Sequence, residues 1–156
     1  MHTFTKKELQ QITQAVHKAE SKTSGEIVPL IVTQSFSAAL YKYIPKAIVH
    51  FNTRYQARKQ FSKLGIHKTT GKTGILIAVF LQERRVEVVA DKGISKYYPQ
   101  STWAELVTTI TQAAKKEKLI LGLCTAIARC GTILGRYCPR QKNDINELSD
   151  RLRILP

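Results

Sequence analysis

Residues 75–90 constrain this chain more than any other stretch. Ile75-Leu76-Ile77-Ala78-Val79-Phe80-Leu81 is an unbroken apolar run. It is short and rich in β-branched and aromatic residues, which predicts a strand buried on both faces. Three polar residues, Gln82, Glu83 and Arg84, separate it from a second strand over residues 85–90. That gap suits a hairpin, although the Asn-Gly or Asp-Gly signal of the tightest turns is missing. Val86, Val88 and Ala90 can face one way while Glu87 and Val89 face the other. The first strand is therefore expected at the centre of a sheet and the second nearer to solvent.

The rest of the chain supplies cover for that pair. Residues 5–22 predict a helix, opened by the capping box of Thr5 and Glu8, with Leu9, Ile12, Val16 and Ala19 as its apolar stripe. Gly25 is expected in the left-handed position after its last turn. Residues 26–33 form a strand apolar on both faces, and Pro29 predicts that it lies at an edge or carries a bulge. A short helix over residues 38–44 ends at Pro45. A longer one, residues 46–64, is expected to bury Ile48, Phe51, Tyr55 and Phe61. Residues 65–72 make a loop, and Gly93 is expected at positive φ in a turn after Asp91. Two more helices follow, near residues 100–116 and 119–137. Gly122, Gly131 and Gly135 in the last suggest close packing.

The order α-β-α-β-β-α-α predicts an α/β fold. It has a small mixed β-sheet, a parallel crossover plus an antiparallel hairpin, sandwiched between helices. One domain over residues 1–139 is expected, with a tail, 140–156, that docks on it or stays loose. At 156 residues and 43 % hydrophobic composition the chain can bury a single core.

The formal net charge is +14. No Asp or Glu occurs between Glu26 and Glu83, while Lys42, Lys46, Arg54, Arg58, Lys59, Lys63, Lys68 and Lys72 all fall there, with His50 and His67. A single-signed stretch focuses potential and favours anionic partners: an anionic membrane surface, an acidic protein or nucleic acid. Cys124, Cys130 and Cys138 form no Cys-x-x-Cys or His–Cys cluster, which argues against zinc or a disulfide scaffold. Free thiols fit a reducing compartment. No signal-peptide pattern and no 18-residue apolar run is present. The expected location is cytoplasmic, or peripheral at the cytoplasmic face of a membrane.

Several blocks now resemble one family. Thr23-Ser24-Gly25-Glu26-Ile27-Val28, Gly65-Ile66-His67-Lys68-Thr69, Thr73-Gly74-Ile75-Leu76-Ile77 and Ala90-Asp91-Lys92-Gly93-Ile94 look like successive blocks of the TPM domain. Trp103, Gly122-Leu123, Ala126-Ile127, Cys130-Gly131, Pro139 and Asn146-Glu147-Leu148 with Asp150-Arg151 continue the likeness over nearly the whole chain. The family covers chloroplast thylakoid-lumen photosystem repair proteins and many bacterial proteins. The resemblance implies a mixed sheet between helices. It is nearest to a bacterial branch labelled predicted membrane protein, in which a hydrophobic hairpin lies between the first strand and the basic helix. Residues 35–49 hold that place here and are too short and too charged to span a membrane twice. The protein would be integral only if such a hairpin had been removed from the native chain. Some family members are weak acid phosphatases and some bind calcium or another divalent ion through acidic loop residues. Glu26 and Asp91 are the matching carboxylates, although Lys92 follows Asp91 and Ser95 stands where relatives often carry His.

Each candidate has a plain alternative. Asp91 with Gly93 is either a cation-ligand loop sharing the ion with Glu26 or a carboxylate capping its own turn. His67 with Lys68, Thr69, Thr70 and Lys72 is either an anion-binding nest, with His67 as catalytic acid or base, or a solvated loop. Ser24, Gly25, Gly74 and Gly93 read as structural turn residues. The functional expectation is a non-enzymatic TPM module acting at a membrane surface or on an acidic partner through Lys46, Arg54, Arg58, Lys59, Lys63, Lys68 and Lys72. The alternatives are a weak divalent-metal-dependent phosphatase and a nucleic-acid binder stacking bases on Tyr41, Tyr43, Phe51 and Tyr55.

Overall fold

In the computed structural model, which describes residues 3–34 and 38–156, a complete capping box starts α1 (Lys6–Glu20). Glu8 N–H donates to Thr5 Oγ1 at 3.2 Å, and Thr5 N–H donates to Glu8 Oε2 at 2.7 Å. The remaining elements are β1 (Ile27–Val32), α2 (Ala38–Tyr41), α3 (Lys46–Lys63), β2 (Ile75–Phe80), β3 (Arg85–Ala90), α4 (Lys92–Ser95), α5 (Gln100–Lys115), α6 (Leu119–Tyr137) and β4 (Arg153–Leu155). Residues 35–37, within the stretch 35–49 expected to stand in for a hydrophobic hairpin, lie outside the described residues.

The sheet order is β3-β2-β1-β4. The crossover through α3 makes β1 and β2 parallel, and β2 and β3 form the antiparallel hairpin. Strand periodicity sorts the sheet's side chains into two cores. Ile27, Ile31, Ile75, Ile77, Val79 and Val86 face α1, α5 and α6. Val28, Leu30, Val32, Leu76, Ala78 and Phe80 face α3, through Ala57 and Phe61, and Ile66. β2 is buried along its whole length, and β3 is largely half-buried at the edge.

β1 departs from the expected edge or bulge. It pairs with β2 without interruption and with β4 on its other side. Pro29 is tolerated by parity. Ile75 N–H donates to Glu26 C=O, whereas Thr33 N–H donates to Leu155 C=O. Pro29 shares the parity of Thr33, so its missing donor lies on the β4 side, just before β4 pairing begins at Leu30.

Gly25 and Gly93 are not in the left-handed region; among the described glycines only Gly65 and Gly71 are. Closeness requires the other two. A Cβ on Gly25 would lie 2.8 Å from the Leu134 side chain, and one on Gly93 would overlap the carbonyls of Gly71 and Lys72. Gly122 and Gly131 bring α6 against Ile110 and Ala113 of α5 and Ala19 of α1. α6 has the length and mean hydropathy, 1.4, of a membrane span. Its Leu123, Ala126, Ile127, Cys130 and Leu134 are nonetheless fully buried within the protein.

Candidate functional site

Glu26, Gly74 and Asp91 stand side by side at one end of the sheet, one residue beyond the ladders that join Ile27, Ile75 and Ala90. Two strand spacings put the Glu26 and Asp91 backbones about 10 Å apart. Ile66, fully buried, packs directly over Gly74 between them. Asp91 instead caps α4: its carboxylate accepts from Lys92 N–H at 2.8 Å, and its carbonyl accepts from Ser95 N–H at 2.9 Å. Ile66 thus packs over Gly74, between the strand ends that carry the two carboxylates expected to share a cation. Among the described residues no three His, Cys, Asp or Glu side chains gather in a metal-holding group.

The loop over residues 65–72 folds into two short 3-10 turns, Ile66–Lys68 and Thr70–Lys72. The Lys72 ammonium donates to the His67 carbonyl, and His67 Nδ1 is buried without a hydrogen-bond partner among the described residues. The loop does meet an anion, and it belongs to the same chain. Thr70 N–H donates to both carboxylate oxygens of Glu147, at 3.1 and 3.2 Å. Ser24 does what a turn residue does, with its N–H donating to Cys138 C=O at 3.0 Å.

Glu26 has other company. Its Oε1 accepts from Glu147 N–H at 2.8 Å, while Oε2 is buried without a hydrogen-bond partner among the described residues. Nearby, Glu20 Oε1 accepts from Ile27 N–H at 2.7 Å, closing the part of the β1 edge that β4 does not reach. Asp150 joins them, 3.2 Å from His17 Nδ1 and holding Asn146 Nδ2 at 2.6 Å. Burial, helped by the nearby Glu26 and Asp150 carboxylates and opposed by the Ile27 N–H, pushes the Glu20 carboxyl up to about 9. Burial likewise pushes Glu26 up to about 7, against the Glu147 N–H. These groups border a cavity of about 60 Å³, room for one or two waters and not for a substrate. Glu20 was missed in the sequence because it reads as a polar end-of-helix residue. Its place four residues after Val16, on the buried stripe, was the available signal.

The basic stretch is carried by α3, and its inward face is not the expected one. Val49, Thr53, Ala57 and Phe61 are buried; Ile48, Phe51 and Tyr55 are 52 %, 72 % and 54 % exposed. The small side chains of Thr53 and Ala57 let the helix sit close on the sheet, where Thr53 Oγ1 donates to Glu87 Oε1 at 2.7 Å. Lys46, Arg54, Arg58, Lys59 and Lys63 are exposed along the helix, and Lys68 is exposed in the loop beyond it. Lys72 is half-buried and already engaged. The three cysteines are free thiols, and burial pushes Cys130 up to about 12, which leaves it inert.

Residues 1–133 match the model of the TPM domain. Among solved structures, the chain is similar to the BA42 protein of the psychrophilic bacterium Bizionia argentinensis. The identity is 25 % and the TM-score 0.80, over 98 % of this chain and 96 % of that one. It is also similar in fold to the N-terminal domain of a P. gingivalis protein, at 13 % identity and a TM-score of 0.60, over 90 % of this chain and 83 % of that one. No curated protein matches.

Proposed function

The chain belongs to the TPM domain family, and from that premise we propose that this member is a non-enzymatic module that lies on an anionic membrane surface through α3. One observation carries the reading. Ile48, Phe51 and Tyr55 form an exposed apolar stripe on the side of α3 opposite its buried residues. Their spacing, i, i+3 and i+7, is that of one helix face. Lys59 and Lys63 continue that side toward the C-terminus, and Lys46 stands at the start. Leu40 and Tyr43, 62 % and 74 % exposed, extend the apolar end. Apolar residues flanked by Lys and Arg suit the boundary between headgroups and acyl chains. Each basic residue at such a surface contributes about 1 kcal/mol.

The test is co-sedimentation with vesicles of phosphatidylcholine alone and with phosphatidylserine added. Binding is expected only with the anionic lipid. The variant Lys46→Ala/Lys59→Ala/Lys63→Ala should lose roughly a hundredfold in affinity, from about 3 kcal/mol. Phe51→Ser/Tyr55→Ser should weaken binding at every salt concentration. Absence of binding at physiological salt would overturn the reading. Tight, steeply salt-dependent binding to single-stranded oligonucleotide instead would assign the same face to nucleic acid.

A further inference from the structure

The outermost strand of the sheet is β3. Asp91 N–H donates to Gly74 C=O at 2.9 Å. By antiparallel alternation Val89, Glu87 and Arg85 also turn their backbone groups to β2. Val86, Val88 and Ala90 therefore turn N–H and C=O outward. None of those outward groups takes a hydrogen bond among the described residues. An edge of this kind is a ready template for another strand unless something blunts it. β3 has no proline, and its pairing with β2 runs through six consecutive residues without a bulge.

The two helices do not cover the edge; they wall it. A groove of about 570 Å³ runs along β3 between α3 and α5. One wall is His50, Arg54 and Arg58, and the other is Trp103, Ala104 and Val107. Arg85 adds a further cation on the floor. Glu87, the one carboxylate among the described residues that line the groove, is already held by Thr53 and lies 3.6 Å from Arg85 Nε. Arg54 and Arg58 have no ion-pair partner among the described residues.

We infer that this groove takes an extended acidic segment of a partner protein, which adds to β3 as a further strand. Side chains of an added strand alternate between the two faces of the sheet. Every second residue meets the cationic α3 wall and the others meet the uncharged α5 wall, so the segment alternates acidic with small apolar residues. The backbone of β3 supplies the affinity and the walls supply the specificity. A second copy of this chain is a poor occupant. Antiparallel pairing of β3 with itself sets one α3 beside the other, cation against cation. This inference is independent of the lipid reading, because the stripe of Ile48, Phe51 and Tyr55 lies on a different side of α3 from the groove.

The probe is a blocked eight-residue peptide alternating Glu and Val, titrated into the 15N-labelled full chain without lipid. The amides of Val86, Val88 and Ala90 should exchange with solvent at least tenfold more slowly in the complex. A peptide of the same composition with its Glu and Val residues grouped should bind at least tenfold more weakly. Methylating alternate peptide nitrogens should abolish binding in one phase and spare it in the other. Arg54→Glu/Arg58→Glu alters exposed positions only, and its amide spectrum reports that it is folded. It should lose at least tenfold in affinity for the Glu-Val peptide. Equal binding of the grouped peptide, or no protection of the three edge amides, would overturn the inference.

Discussion

A methyl group at position 93 has nowhere to go. The neighbours of Gly93 are backbone carbonyls of Gly71 and Lys72, which no rotamer change can move aside. Gly93→Ala should cost about 2 kcal/mol, read as a lower urea midpoint with an unchanged slope. The requirement for glycine there was legible in the sequence, but its reason was not. A turn motif suggests positive φ, whereas the contact comes from Gly71 and Lys72 in an earlier loop. The same limit applied to Glu26 and Asp91. The sequence places both at strand ends, yet it carries no sign that Ile66 fills the space over Gly74. Glu147 was visible only as part of a family block, and its hold on Thr70 N–H depends on where the tail crosses.

At the scale of elements, the hairpin β2–β3 was the most legible part, because an apolar run followed by alternation has one economical reading. Its turn uses Arg84 at φ 50°, where glycine or asparagine is usual. Arg84→Gly should therefore stabilise the fold by about 0.5–1 kcal/mol, raising the melting temperature by about 2 °C in calorimetry. α3 was legible as a helix and illegible in orientation. It has an apolar face on each side, and the bulkier one, with Phe51 and Tyr55, is the outer one. Bulk alone points the helix the wrong way; only docking on β3 singles out Thr53 and Ala57. β4 was missed because three residues, Arg153–Leu155, carry too little alternation to register as a strand.

For the molecule as a whole, the raised carboxyls set the sign of its pH dependence. The folded state holds protons on Glu20 and Glu26 that the unfolded chain releases near pH 4.5. Stability is then full below that pH and falls as pH climbs through about 7 for Glu26 and about 9 for Glu20. Glu26→Gln keeps an acceptor for Glu147 N–H and should flatten the lower part of the decline. Glu20→Gln should lessen the slope over the whole range from about pH 4.5 to about pH 9 and remove what is left of it above about pH 7. Thermal melts across pH 5–9 compare the variants, and an unchanged slope in both would contradict the assignment. The closed end of β1 also bears on how the protein is made. β4 is synthesised after every strand that it completes, more than a hundred residues after its partner. Until then the flank of β1 stands open in the nascent chain, where unpaired edges invite aggregation. Pro29 offers no donor on that flank and Glu20 occupies the donor of Ile27. Only the stretch around Ile31 and Thr33 waits uncovered, too short to capture a neighbouring nascent chain before its own last strand arrives.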